Sequence, residues 1–181
     1  MSSKPDIPES DVIVEAYHGT SFNAASNILI HGFRPSEGTD EWLGKGVYFY
    51  EASREHAYNW ALNVKKIHPT QIVVMRAEVK LGRCLDLLHN PAHVDLLENY
   101  FNEAENKVFN KKLKSKRYFD EQISITESAV IELINRQAAV DSVRTSYSSG
   151  KSIFPGSRFT RGQQIIICVR NLNNILNVEK A

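Results

Sequence analysis

Apolar and polar positions along the chain alternate between a two-residue and a near four-residue period. A polar, proline-punctuated arm over residues 1–11 leads into Val12-Ile13-Val14-Glu15-Ala16-Tyr17, a β-branched run of strand type. Ala25, Ile28 and Leu29 then fall at helical spacing behind Thr20 or Ser21 as N-cap, and Gly32 stands where a C-cap belongs. His18-Gly19 is therefore expected where the strand turns into the helix, with backbone donors open to a polar ligand. A loop rich in Gly, Pro, Ser and acids over 33–43 precedes a second strand, Gly46 to Tyr50. Ser53 caps a helix whose Ala57, Trp60, Ala61 and Val64 share one face, and Pro69 marks its limit.

Further along, Gln71 to Leu88 is expected as two strands broken at Gly82, because its apolar runs are short and carry no helical stripe. A helix is expected from Pro91 to Asn110, with Val94, Leu97, Tyr100 and Phe101 on one side. Ser124-Ile125-Thr126-Glu127 has the form of a capping box ahead of Ala129, Ile131, Leu133 and Ile134. Residues 150–162 form a loop, and Gln164 to Arg170 is the strongest strand signal in the chain. Strands before, between and after helices indicate an α+β domain with a mixed sheet rather than a regular βαβ series.

Composition narrows this picture. The 181 residues, 42% hydrophobic and 24% charged, suffice for one sizeable core, so residues 12–181 are expected to form a single domain. Lys and Arg total 22 against 21 Asp and Glu, and a net charge of +1 supplies no global field toward nucleic acid or acidic membranes. Any such preference must come from a local patch. Cys84 and Cys168 lie far apart within apolar runs, which fits buried thiols better than a metal site or a disulfide framework. The first residues lack an apolar signal region and no apolar run approaches the roughly 20 residues of a membrane span, so a soluble, cytoplasmic protein without a membrane partner is expected.

The chemistry concentrates between residues 17 and 50, in Tyr17-His18-Gly19-Thr20 and Gly44-Lys45-Gly46-Val47-Tyr48-Phe49. A strand ending in an aromatic and a His-Gly, followed one helix later by a glycine-flanked aromatic strand, can build a cleft for a planar, diphosphate-bearing ligand. With His56-Ala57-Tyr58 and the late strand Gln163-Gln164-Ile165-Ile166-Ile167, these motifs resemble the ADP-ribosyltransferases of the poly(ADP-ribose) polymerase-like, or diphtheria-toxin-like, group over residues 12–178. Taken singly, His18 would be a turn residue, Tyr48 a half-buried strand aromatic and Tyr58 a packing partner of Trp60. Their order and spacing are what one site requires.

The resemblance implies a split mixed sheet with flanking helices around an NAD cleft, NAD as substrate and no metal. It implies that His18 bonds the adenosine ribose, that the Gly19 backbone pairs with the nicotinamide carboxamide beside Thr20, and that Tyr48 stacks under the nicotinamide ring with Tyr58 over it. Arg34 is placed as a diphosphate contact, since guanidinium matches phosphate geometry. Holding an aromatic cation while the ribose flattens stabilises an oxocarbenium-like state. The family's late-strand glutamate is replaced here by Gln163 or Gln164, depending on register. An amide accepts a hydrogen bond from the ribose 2'-hydroxyl but carries no charge to offset a developing cation. Gln164 is the preferred register, because a Gln-Ile start resembles a bacterial subgroup that also shares Asp86 and the segments 141–144 and 154–156.

The remaining signals concern an acceptor. Residues 107–117 gather six basic side chains, among them Lys111, Lys112 and Lys114, bordered by Phe109, Tyr118 and Phe119. Cations interleaved with aromatics track phosphates and stack bases, although a basic run is more often a solvated face. Arg158 and Arg161 lie in the loop before the last strand, which the resemblance turns toward the acceptor. The expected activity is mono-ADP-ribosyl transfer by a bacterial toxin of a toxin–antitoxin or phage-defence system, RNA being favoured over protein as acceptor and an antitoxin or chaperone as partner. A protein acceptor, or a catalytically silent NAD or ADP-ribose binding module, is the alternative. His31, His68, His89 and His93 share no metal spacing and are expected as surface or capping residues.

Overall fold

The computed structural model of the chain describes residues 5–36, 41–114, 126–148 and 151–181, with residues 107–114 described as backbone only. Among the described residues, six strands and four helices follow in the order β1 (Glu9–Ser21), α1 (Phe22–His31), β2 (Val47–Glu51), α2 (Arg54–Asn63), β3 (Ile72–Asp86), α3 (Pro91–Lys114), α4 (Glu127–Ala138), β4 (Ser142–Tyr147), β5 (Gln164–Val169) and β6 (Ile175–Lys180). The helix starts obey local rules. Ser21 accepts a bond from Ala24 N–H, Ser53 from His56 N–H and Thr126 from Ala129 N–H. Thr126 is thus the cap of α4, whereas the proposed box partner Ser124 lies outside the described residues. Gly32 ends α1 at φ 76°, its N–H bonded to Ile28 O.

The sheet runs β1-β2-β5-β4-β3-β6, and a further β1–β3 ladder joins its first and fifth strands. The expected split sheet is therefore corrected to one that closes into a barrel, with β6 added antiparallel on β3. Among the described residues only β3 and β4 pair in parallel, which keeps the sheet mixed.

A long β3 makes closure possible. Its early part pairs with β1 from Ile72 opposite Ser21 onward, and its last residues, Cys84 to Asp86, pass to β4. Gly82 bends this strand at φ 60° instead of breaking it, correcting the expected pair of short strands. A Cβ at Gly82 would sit 2.6 Å from Asn174 Nδ2 and 2.9 Å from Asp141 Oδ2. The Asp141 carboxylate occupies that gap, accepting from the Arg83 backbone N–H (2.9 Å) and from Asn171 Nδ2 (3.0 Å). Strands β4 and β6 were not anticipated.

Within the arm expected over residues 1–11, the described residues 5–11 correct the reading, and residues 1–4 lie outside the described residues. Pro5 and Ile7 are buried, and Glu9 and Ser10 already pair with Arg83 and Gly82. Helix α3 runs four residues beyond the expected Asn110, to Lys114.

Each sheet face carries a core. On one, Ala16, Phe49, Met75, Val79 and Ile167 pack with Ala25 and Ile28 of α1. On the other, Tyr50, Val74, Leu85, Val143 and Cys168 pack with α2, α3 and α4, where Val130, Ile131 and Ile134 are buried. Each such aliphatic contributes about 1.5–3 kcal/mol relative to exposure. Both cysteines are buried and unbridged, as anticipated.

A charged cluster sits at one end of the first core face. Glu51 follows Phe49 by two positions, Asp86 follows Cys84 by two, and Arg144 lies opposite Ile167, so all three share that face. Arg144 grips Glu51 through Nε (2.7 Å) and Nη2 (2.5 Å) and reaches Asp86 at 3.3 Å, with all three side chains largely buried. Burial pushes the Asp86 carboxyl upward, but the His89 and Leu88 N–H groups and Arg144 outweigh it and leave the pKa lowered.

Candidate functional site

Strand β1 meets β2 through Ala16 opposite Glu51 and Tyr17 opposite Tyr50, and there the ladder ends. Beyond it His18 to Ser21 still pair with β3, while Val47 to Phe49 still pair with β5, so the edges that face each other part. A cleft of about 1060 Å3 opens at this seam, at the upper end of ordinary ligand-site volumes. His18-Gly19 is accordingly inside a strand, correcting the expected strand-to-helix junction. Its backbone groups are available to a ligand because the ladder on one side has stopped.

Of the residues anticipated for NAD, the cleft wall contains His18, Gly19, Thr20, Arg34 and Tyr48. The His18 imidazole spans the seam, with Nδ1 2.8 Å from Tyr48 O. A carbonyl only accepts, so Nδ1 carries the proton and Nε2 is the acceptor of the neutral ring. Burial pushes the His18 pKa down, against the opposing pull of the Tyr48 carbonyl, and the nearby Lys65 adds to the lowering. Phe33 meets the imidazole edge-on at 5.3 Å and Trp60 lies at 6.5 Å, which fixes the ring plane.

Gly19 has a structural reason of its own. An added Cβ would lie 1.9 Å from Ala57 O and 3.1 Å from Ala61 Cβ, so α2 approaches this strand only because no side chain is there.

Tyr48 lines the cleft from the other core face, since its strand partner is Cys168 and its ring packs with the second core. Its hydroxyl accepts from Leu43 N–H at 3.1 Å and donates to Gly44 O at 2.9 Å. Those residues belong to a turn closed by Gly44 N–H on Glu41 O at 2.8 Å, with Gly44 at φ 83°. The phenol thus pins to β2 the turn that carries Glu41 and Trp42, both also on the cleft wall. Burial, reinforced by Cys168 and Glu41, raises the Tyr48 pKa far above neutrality, so the hydroxyl keeps its proton.

Three anticipated positions do not line the cleft. Tyr58 packs against the second core from α2, and Trp60, two residues on, takes the wall position. Gln164 shares a sheet face with Tyr48 but stands four residues before the Tyr48 partner Cys168, paired instead with Tyr147. Gln163 is exposed and donates to Thr160 Oγ1 at 3.0 Å.

Arg158 and Arg161 are exposed in the segment 151–161, which folds back through a Ser152–Thr160 bridge and presents Phe154 and Phe159 at 60% and 73% exposure. Lys111, Lys112 and Lys114 lie in the last turn and a half of α3, their side chains outside the described residues, as Lys116 and Arg117 are altogether.

Sequence reasoning missed Lys65, Trp42, Trp60, Phe33 and Glu41. Lys65 Nζ lies 5.0 Å from the Trp60 ring and, with Arg34, brings positive charge to the cleft. A cation just past a helix end and a tryptophan before a turn carry no spacing signal that marks a ligand wall.

His93 is buried and accepts from Asp86 N–H (3.0 Å), correcting its expected surface or capping role, whereas His31 ends α1 on the cleft. Among the described residues no cluster of His, Cys, Asp or Glu could hold a metal ion, and no helix is long and apolar enough to cross a membrane.

The cleft fits a dinucleotide: unpaired strand edges offer amide and carbonyl groups, aromatic walls suit flat rings, and Arg34 with Lys65 suits a diphosphate. An uncharacterized protein of Methanocaldococcus jannaschii is 42% identical over 52 residues, a stretch covering 28% of this chain and 24% of that protein. The profile described as poly(ADP-ribose) polymerase catalytic domain matches residues 9–148, which includes both walls of the seam and the whole of β1 to β4. The chain therefore belongs to the poly(ADP-ribose) polymerase catalytic domain family, a family of NAD-dependent ADP-ribosyltransferases.

Proposed function

We propose that this chain cleaves NAD and transfers one ADP-ribose unit to RNA, as a toxin of a bacterial defence or toxin–antitoxin system. The observation that carries the NAD part is the seam at His18 and Tyr48, where an imidazole held through Nδ1 keeps Nε2 as an acceptor for a ribose hydroxyl. Gly19 to Ser21 supply the unpaired edge for the carboxamide, and the Tyr48 ring forms a wall for the nicotinamide. Arg34 and Lys65 take the diphosphate. In transfer, the bond from ribose C1' to the nicotinamide nitrogen breaks, its electron pair leaves with nicotinamide, and the acceptor supplies a lone pair and loses a proton.

RNA is favoured by the solvent-facing Phe154 and Phe159 beside Arg158 and Arg161, an arrangement suited to stacking and phosphate contact, and by the basic composition of 107–117. Mono-transfer is preferred because no second ADP-ribose site is evident among the described residues. A second reading, a silent NAD or ADP-ribose binding module, draws support from Gln163 and Gln164 standing where the family has glutamate.

The test is incubation of purified protein with NAD labelled on the adenylate, together with total RNA or with protein extract. Label on RNA is expected. Label on protein alone refutes the RNA assignment, and absence of nicotinamide release under every condition leaves only the binding module. Replacing Lys111, Lys112, Lys114 and Lys116 together should weaken RNA labelling in a salt-dependent way and spare NAD hydrolysis.

A further inference from the structure

The cleft has cations and aromatics, but the two glutamines that stand in for the family's late-strand carboxylate are elsewhere. A reaction that develops positive charge on the ribose gains from a fixed negative group within the same low-dielectric space. Among the described residues, Glu41 is the one acid on the cleft wall.

Glu41 opens the turn that ends at Gly44, and that turn is held at two further points by the Tyr48 hydroxyl. Its carboxylate oxygen Oε2 is buried, and its charge adds, after the larger effect of burial, to the raised pKa values of Tyr48 and Cys168. The carboxylate is therefore near the Tyr48 phenol, on a backbone with little freedom to move.

We infer that Glu41 supplies, from the turn before β2, the catalytic carboxylate that Gln163 and Gln164 lack, facing the positive charge that develops on the ribose as nicotinamide departs. This deepens the proposed NAD-dependent activity and rests on it. The bond changes are those already given: the C1'–nitrogen pair leaves with nicotinamide, and water or the RNA acceptor donates the new pair to C1' and releases a proton to solvent. Glu41 forms no bond; its contribution is charge. Tyr48 acquires a second part as the positioning residue for that charge.

The test compares wild type, Glu41→Gln, Glu41→Asp and Gln164→Ala, measuring NAD affinity by calorimetry, nicotinamide release with total RNA present, and thermal unfolding. Glu41→Gln is isosteric and should reduce release about 100-fold, the size of effect expected for one preorganised electrostatic group, with NAD affinity within about threefold of wild type. Glu41→Asp should retain part of the activity, and Gln164→Ala should lose less of it than Glu41→Gln. Release by Glu41→Gln within about threefold of wild type overturns the inference while leaving the NAD-dependent activity standing. So does an equal loss of NAD affinity and release, or a large fall in unfolding temperature shared by Glu41→Gln and Glu41→Asp, since each marks a structural part. A wild-type protein that neither binds NAD nor releases nicotinamide overturns the inference and the proposed function together.

Discussion

Tyr48→Phe separates two jobs that one tyrosine combines. The variant keeps the ring, and with it any stacking on nicotinamide, but removes a hydroxyl that accepts from Leu43 N–H and donates to Gly44 O. Leu43 is 1% exposed and Gly44 is buried, so water cannot reach both vacated groups without opening the turn. Two hydrogen bonds at about 1 kcal/mol each, with a desolvation penalty for buried groups left unpaired, place the cost at about 2–3 kcal/mol. For a chain of this size that lowers the unfolding midpoint by roughly 4–12 °C. Urea denaturation followed by fluorescence, alongside nicotinamide release, measures both consequences. Stability should fall by that amount, and turnover should fall with it because Glu41 and Trp42 ride on the loosened turn. Tyr48→Ala should lose more turnover, since the ring goes as well. A Tyr48→Phe protein within about 0.5 kcal/mol of wild type and fully active would refute the clamp and leave the ring as the functional part.

Arg144→Met should cost about 3–5 kcal/mol in urea denaturation because it leaves Glu51 without its cation and Asp86 to the Leu88 and His89 N–H groups, and adding Glu51→Met should recover part of that; a loss below 1 kcal/mol would mean that the three groups are effectively solvated. Gly19→Ala should destabilise by at least about 1–3 kcal/mol and displace α2, readable as a lowered melting temperature in circular dichroism, given the 1.9 Å approach of its Cβ to Ala57 O. His18 has a pKa below its ordinary 6.5 because burial disfavours the imidazolium, so the unfolded chain takes up a proton that the folded chain refuses. Stability should therefore decline as pH falls below that value, and His18→Gln should flatten the decline between about pH 7 and 5; an unchanged slope would assign it to His93, whose pKa burial also lowers.

Short-range chemistry in the sequence was sufficient for the helix starts. Ser21 and Ser53 cap as read, and Thr126 caps α4 two residues beyond the Ser124 of the expected box, because each side chain meets an orphan N–H a few residues on, wherever the helix later packs. The β-branched runs of β1, β3 and β5 were legible for the same local reason. So was the motif pair at His18 and Tyr48, because each sits next to glycines in a strand and their order along the chain is a property of sequence alone.

Long-range pairing decided the rest. Gly82 reads as a break in isolation, yet it bends a continuous strand because β1, β4 and the Asp141 carboxylate hold the backbone on both sides of it. Strands β4 and β6 carry mixed polar faces and become strands only by pairing with β5 and β3. Tyr58 and Trp60 both pack against the second core, and of the two only Trp60 also reaches the cleft wall, because α2 closes on Gly19. Composition and spacing determined the helices and the strands β1, β2, β3 and β5, and marked the two motifs that the proposed NAD site uses. The closure of the sheet and the point where β1 and β2 part belong to tertiary structure, because each depends on contacts between segments whose separation along the chain leaves no periodic mark.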